Sequence, residues 1–342
     1  MTGSGIATVA RQEFRLRIRA GRWKWLLVSF FAVLLLFTLL LSSALGTLAG
    51  GGGQGAVLYG GLMLFVLGLA LLVVPALAAQ SVNGDRERGT LATLQVTLLT
   101  PAEIVLGKFL AAWGTALVFL ALTLPLVLYA MTQGGVPLSR VVVVTLVLAL
   151  LLGTVCAISL WLSSVLTRTT TSGVLAYLAV FALTIGTPIA FGLATAVTTE
   201  TIVVGGDAPC PPGDTLCLPG SGQQSFETTQ VRPDRTWWLL APNPFVVLAD
   251  ASPQRSADAL DGAAEDLDPL GNIGRAVRFL REPPRPVFGA GGPLEPGEPE
   301  RSRPLWPTGL AIDVALAAGA LALTVRRLRT PTRTLPQGQR VA

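Results

Sequence analysis

Five apolar stretches, near residues 25–48, 56–80, 104–130, 140–166 and 172–198, dominate the chain, and a weaker sixth covers 307–325. A helix needs about 20 apolar residues to cross a hydrocarbon core about 30 Å thick, and only a helix or a closed barrel satisfies its backbone groups there. The chain is therefore read as an all-α membrane protein with six transmembrane helices. Composition agrees: 51% of the residues are hydrophobic, 13% are charged, and mean hydropathy is +0.61, too little charge to cover a soluble surface. The first stretch follows a basic segment and precedes the small residues "SSALGTLA", as a signal peptide would. It outruns the roughly 7–15 residues of a signal-peptide core and reads as a retained span.

A pI near 9.6 could suit nucleic acid, but the basic residues are placed for a membrane instead. They cluster between Arg11 and Lys24, at Arg86 and Arg88, at Arg168, and from Arg326 to Arg340, all on one side of a six-span chain. The other side has "AGGGGQG" at 49–55, a short turn with Arg140 as its lone exception, and the segment 200–306. The positive-inside rule then puts both termini in the cytoplasm of a multi-pass protein, expected in a bacterial plasma membrane. The chain divides into an interfacial segment 1–24, spans one to five over 25–199 with a cytoplasmic loop at 81–103, a long external loop 200–306, the last span 307–325, and a tail 326–342.

The segment from Ile6 to Trp25 reads as an amphipathic helix lying along the membrane. At about 100° per residue, Arg11, Arg15, Arg19 and Arg22 form one stripe beside Ala7, Ala10, Phe14 and Ile18. Such a helix presents its arginines to anionic membrane lipids, with Trp23 and Trp25 at the interface, whether as a separate element or as a plain positive-inside anchor.

The cytoplasmic loop "NGDRERGTLATLQVTLLTPAEIVLGK" holds the most informative pattern. Asn83 and Gly84 read as helix-stop residues for the second span, and Asp85 and Glu87 suit the positive end of a new helix. Leu91, Leu94 and Leu98 then share one face. Thr100, Pro101 and Glu103 form a capping-box pattern that starts the third span afresh. The outcome is a short amphipathic helix between two breaks, able to rest on the membrane surface or to dock a partner.

This loop resembles that of type 2 ABC transporter permeases, with Glu87, Arg88, Gly89, Thr90, Leu91, Leu94, Thr100, Pro101, Gly107 and Lys108 on the family pattern. "VARQEFRLRIRAGRWKW" is similar to the family's elbow helix, and "APNPFVVLAD" resembles a segment found before its last span. The resemblance implies a permease subunit of an ATP-driven exporter. In it Glu87, Arg88, Gly89, Thr90, Leu91 and Leu94 form a coupling helix seated in a separate ATP-binding cassette ATPase subunit. It also implies a homodimer or a pairing with a second permease subunit, and no nucleic-acid partner. No G-x-x-x-x-G-K-[ST] loop occurs in the chain, so ATP and Mg are expected in the partner and no cofactor in this subunit. The alternatives are a membrane anchor or regulator that binds an ATPase without moving cargo, and a membrane enzyme. Histidine is absent, which removes His-based triads and most metal sites.

Asp313 is the only carboxylate well inside a span. It is a candidate for a cargo path, or else a polar residue about two turns from the external end, within reach of water. Cys210 and Cys217, in "CPPGDTLC" on an oxidising face, suggest a local disulfide. Cys156 reads as a small packing residue. Prolines at 75, 125 and 188 lie inside spans and permit kinks. The stretch 236–251 is apolar and aromatic, suited to the outer leaflet.

Overall fold

The computed structural model describes residues 3–19, 21–48, 54–87, 100–207, 223–253, 267–282, 288–289, 292–293 and 304–329. Among the described residues, six helical segments are long and apolar enough to cross a membrane: Trp23–Gly46, Gln54–Asp85, Pro101–Thr132, Leu138–Val165, Thr169–Val197 and Trp306–Leu328. Each coincides with one of the six apolar stretches. Helix α1 (Gly3–Arg19) precedes α2 (Arg22–Leu48), the first span. The second span is α3 (Gln54–Ala78) followed by the short α4 (Asn83–Glu87). The third divides into α5 (Pro101–Leu122) and α6 (Leu124–Thr132), where Pro125 cannot continue the hydrogen-bond ladder. The fourth, α7 (Leu138–Val165), is unbroken, and the fifth is α8 (Thr169–Phe181), a π-turn (Ala182–Gly186) and α9 (Thr187–Val197). Sheet is confined among the described residues to an antiparallel hairpin, β1 (Thr199–Asp207) with β2 (Gln223–Val231), and a two-residue pair, β3 (Phe288–Gly289) with β4 (Gly292–Pro293).

Helix α7 is the axis of the bundle and touches α3, α5 and α8. Leu148, Leu151, Leu152, Cys156 and Leu160 on it are fully buried, so Cys156 is the packing residue its position suggested. Lipid tails are as apolar as leucine, so close packing and interhelical hydrogen bonds hold such helices together. One such bond runs from Trp113 Nε1 to Ala149 O at 2.8 Å.

The N-terminal segment departs from expectation in two ways. The helix ends at Arg19, and Trp23 belongs to the first span, where its ring meets Phe119 edge-on at 5.5 Å in the core. The covered face of α1 carries Gly5, Val9, Glu13 and Arg17; of the expected apolar stripe, Ala10 and Phe14 are half-buried at its edge, whereas Ala7 and Ile18 are exposed with Arg11, Arg15 and Arg19. That face packs along the first half of α5. Gly107 makes the approach possible, because a Cβ there would lie 2.6 Å from Val9 Cβ. Arg17 extends further along α5 to Thr115 Oγ1 at 3.0 Å. Burial lowers its pKa from the ordinary value, and Glu13 opposes the shift.

The segment before the last span also folds into the bundle. Helices α10 (Pro244–Ala251) and α11 (Pro269–Phe279) pack on each other, and α10 also touches α7 and the final helix α12 (Trp306–Arg329). Val247 and Leu248 are fully buried, so this stretch inserts among the spans rather than lying on a membrane surface. Gly309 admits it, since a Cβ there would meet Val247 Cγ2 at 2.6 Å. Arg140, the exception in the charge segregation, is buried where α10 ends and α11 begins. Its Nη2 donates to Asp268 Oδ2 at 2.5 Å and its Nε to Ser252 Oγ at 2.7 Å, and the guanidinium lies over the Tyr59 ring. A carboxylate thus compensates that charge inside the fold. At the base of the hairpin β1–β2, a two-pronged contact with Arg232 holds the Asp234 carboxyl below the usual carboxylate range.

Candidate functional site

The second span opens at Ala79–Val82, one turn before the stop residues Asn83 and Gly84, which instead begin α4. An opened helix in a membrane bundle needs other partners for its freed backbone groups. Here side chains from three other spans supply them. Ser172 Oγ of α8 donates to Ala79 O at 3.0 Å, and Lys108 Nζ of α5 donates to Ser81 O at 3.0 Å. Ser163 Oγ of α7 accepts from Val82 N at 3.2 Å and from Asn83 N at 3.1 Å. Because these groups can satisfy the backbone, the break falls where they reach it and not where the stop residues lie.

Lys108 is the centre of this arrangement. It is 1% exposed, and besides Ser81 O its ammonium bonds Glu13 of α1 and Asp85 of α4. A buried ammonium is tolerated only when paired and hydrogen-bonded, and here two carboxylates and a carbonyl surround it. The start of α5 is set independently by the capping box: Thr100 N donates to Glu103 Oε2 at 2.8 Å and Glu103 N to Thr100 Oγ1 at 3.4 Å. The described residues nearest this stretch are thus fixed independently, Asp85 by Lys108 and Thr100 by the capping box.

The expected coupling residues are divided by this boundary. Glu87 is the last residue of α4, while Arg88, Gly89, Thr90, Leu91 and Leu94 lie outside the described residues, as do Cys210 and Cys217. Asp313 is described, and its surroundings differ from expectation. It is 1% exposed rather than within reach of water, on a helix packed against α7 and α10. Thr154 Oγ1 donates to its backbone carbonyl at 3.3 Å, and neither carboxylate oxygen has a hydrogen-bond partner among the described residues. Asp313 is not part of the Lys108 cluster. Among the described residues no group of His, Cys, Asp and Glu is arranged to hold a metal ion.

The partners Glu13, Ser163 and Ser172 were not singled out from sequence. A signal existed for two members of the cluster. Lys108 is one of two lysines in the chain and lies inside an apolar stretch, and Glu13 is the only acid before Asp85. The serines carry no such mark.

A groove of about 520 Å³ opens between the second and fifth spans, its walls including Leu71, Leu72, Tyr177, Phe181, Thr184 and Phe245. Tyr177 Oη bridges it, donating to Leu72 O at 2.7 Å. The lining is almost wholly apolar.

Among known proteins, the model of the ABC-2 family transporter protein matches residues 7–258. No curated protein matches the chain. The matched region runs from α1 through all five of the first spans and the opened second span to the α10 segment. Such a match over most of the chain, together with six membrane-length helices among the described residues, means that it belongs to the ABC-2 transporter family, as the multi-pass membrane permease of an ABC transporter whose family implies an ATP-binding cassette ATPase subunit as partner.

Proposed function

We propose that this permease is the export-type half of an ATP-driven transporter, in which residues 88–99 dock on the ATPase and the opened turn at Ala79–Val82 relays its movement. The observation that carries this reading is the wiring of that turn: one short stretch is bonded to Lys108, Ser163 and Ser172, on the third, fourth and fifth spans. Displacement of α4 pulls on Asp85, and through Lys108 on both α5 and α1. A flexible turn without these bonds would absorb the motion. ATP and Mg reside in the partner. The exposed stripe Arg11, Arg15 and Arg19 suits anionic headgroups. The fifth span is the least covered of the six, which supports completion of the path by a second copy or a second permease. The apolar groove suits a hydrophobic or amphipathic cargo.

Docking is tested with Leu91→Ala combined with Leu94→Ala. Losing an interface anchor costs about 2 kcal/mol or more, at least about thirtyfold in affinity. The ATPase should no longer copurify at equal permease levels, and ATP-driven transport should fall with it. Unchanged copurification and transport would leave the leucines resting on the membrane surface.

Orientation is tested separately. Both termini are cytoplasmic in this proposal, so a cysteine at Gly52 should react with an impermeant thiol reagent in intact cells, and one at Arg329 should not. Labelling at Arg329 reverses the orientation.

A further inference from the structure

The fifth span has a second opened turn, which the coupling scheme does not use. Thr187 N bonds Ala182 O in a π-turn, and Pro188 has no N–H to offer Thr184 O four residues earlier. Two carbonyls at the break are met by side chains. Thr187 Oγ1 donates to Leu183 O at 2.8 Å, and Asn243 Nδ2 donates to Thr184 O at 2.9 Å. Asn243 Nδ2 also donates to Thr187 Oγ1 at 2.9 Å. Its Oδ1 accepts from Phe245 N at 2.9 Å and Val246 N at 3.3 Å, capping α10.

Every polar capacity of the 1% exposed Asn243 amide is thus engaged, donors toward the fifth span and acceptor toward α10. The alternative amide orientation would set donors against the two N–H groups of α10. Aspartate could cap α10 but has no N–H for Thr184 O, and glutamine is a methylene longer. The two elements joined are also two walls of the apolar groove: Phe181 and Thr184 on one side, Phe245 on the other.

We propose that Asn243 is a positioning residue that staples the hinge of the fifth span to α10 and so sets the width of the groove. Its role in cargo handling rests on the transport reading above; its role in holding the hinge does not. A change of the π-turn to α register would rotate the flanking helix by about 100°, moving Tyr177 and Phe181 relative to Leu72. The staple opposes that change by satisfying Thr184 O only in the observed arrangement.

The test is the distance between spin labels at Leu72 and Val174, both exposed at the rim, in the full chain in lipid nanodiscs. The parent chain should give one narrow distribution. Asn243→Asp, which keeps the cap and removes the donors, should add a second, longer population. In an Asn243→Asp, Pro188→Ala chain the restored N–H can bond Thr184 O four residues earlier, which is the α register itself, so the longer population should grow at the expense of the first. Should Asn243→Asp fail to accumulate, Thr187→Val removes one acceptor, keeps the cap, and should broaden the distribution. An unchanged distribution in these variants overturns the proposal, as does an Asn243→Asp effect equally large with and without Pro188→Ala. These distances need neither ATPase nor cargo. A broadened distribution in a complex that never transports would sink the transporter reading alone, whereas an unchanged one beside normal transport would sink only the staple.

Discussion

Lys108→Ala is expected to destabilise the permease by about 3–5 kcal/mol, the cost of removing one partner from a buried ion pair. The substitution leaves Glu13 and Asp85 facing each other without a cation, and removes the donor to Ser81 O in the opened turn. Like charges repel in a low-dielectric interior, so the two carboxylates either take up a proton or drive α1 and α4 apart. Thermal unfolding in nanodiscs should show a midpoint lowered by on the order of 10 °C. Lys108→Arg keeps the charge and should recover part of the loss. The chain with Glu13→Leu and Asp85→Leu added should be less destabilised than Lys108→Ala alone, because no uncompensated charge remains. A midpoint for Lys108→Ala within about 2 °C of the parent would mean that water reaches the cluster, and the relay through it would fail.

Asp250→Ala should cost a similar amount, about 3–5 kcal/mol, at the opposite end of the bundle. Asp250 is fully buried, and its carboxylate accepts from Arg278 Nε at 2.6 Å, Leu305 N at 2.5 Å and Trp306 N at 2.7 Å. One anion thus holds α11 and the start of α12, where the free N–H groups of a helix favour negative charge. Alanine strands a partly covered guanidinium and leaves two N–H groups without an acceptor. Asp250→Asn keeps one oxygen and should lose less. Amide exchange over 305–309 should rise sharply in the alanine variant. Exchange that stays at the parent level would show that the start of α12 is held by packing alone.

Both substitutions act on pairings between residues far apart in the chain, and the same distinction separates what could be read in advance from what could not. The six spans were legible because the membrane demands uninterrupted apolar helix, a condition each stretch meets by itself. The capping box at Thr100–Glu103 was legible for a similar reason, since its partners lie three residues apart. The stripe of Arg11, Arg15 and Arg19 follows from helical period alone.

The face of α1 was misjudged because its apolar neighbours did not decide it; Gly107 and Lys108, almost a hundred residues later, did. The break in the second span was placed at its stop residues, yet Ser163, Ser172 and Lys108 moved it one turn earlier. Asp313 looked accessible by its depth in the span, yet in the packed bundle it is 1% exposed beside Thr154 of α7. By itself the amino-acid sequence determined which segments are helical and apolar enough to span a membrane, because bilayer solvation and helix capping act over a few residues to one helix length. Only the tertiary structure decided which polar groups close the opened turns and which faces are covered, because in an apolar solvent those choices depend on hydrogen-bond and charge partners brought together from distant parts of the chain.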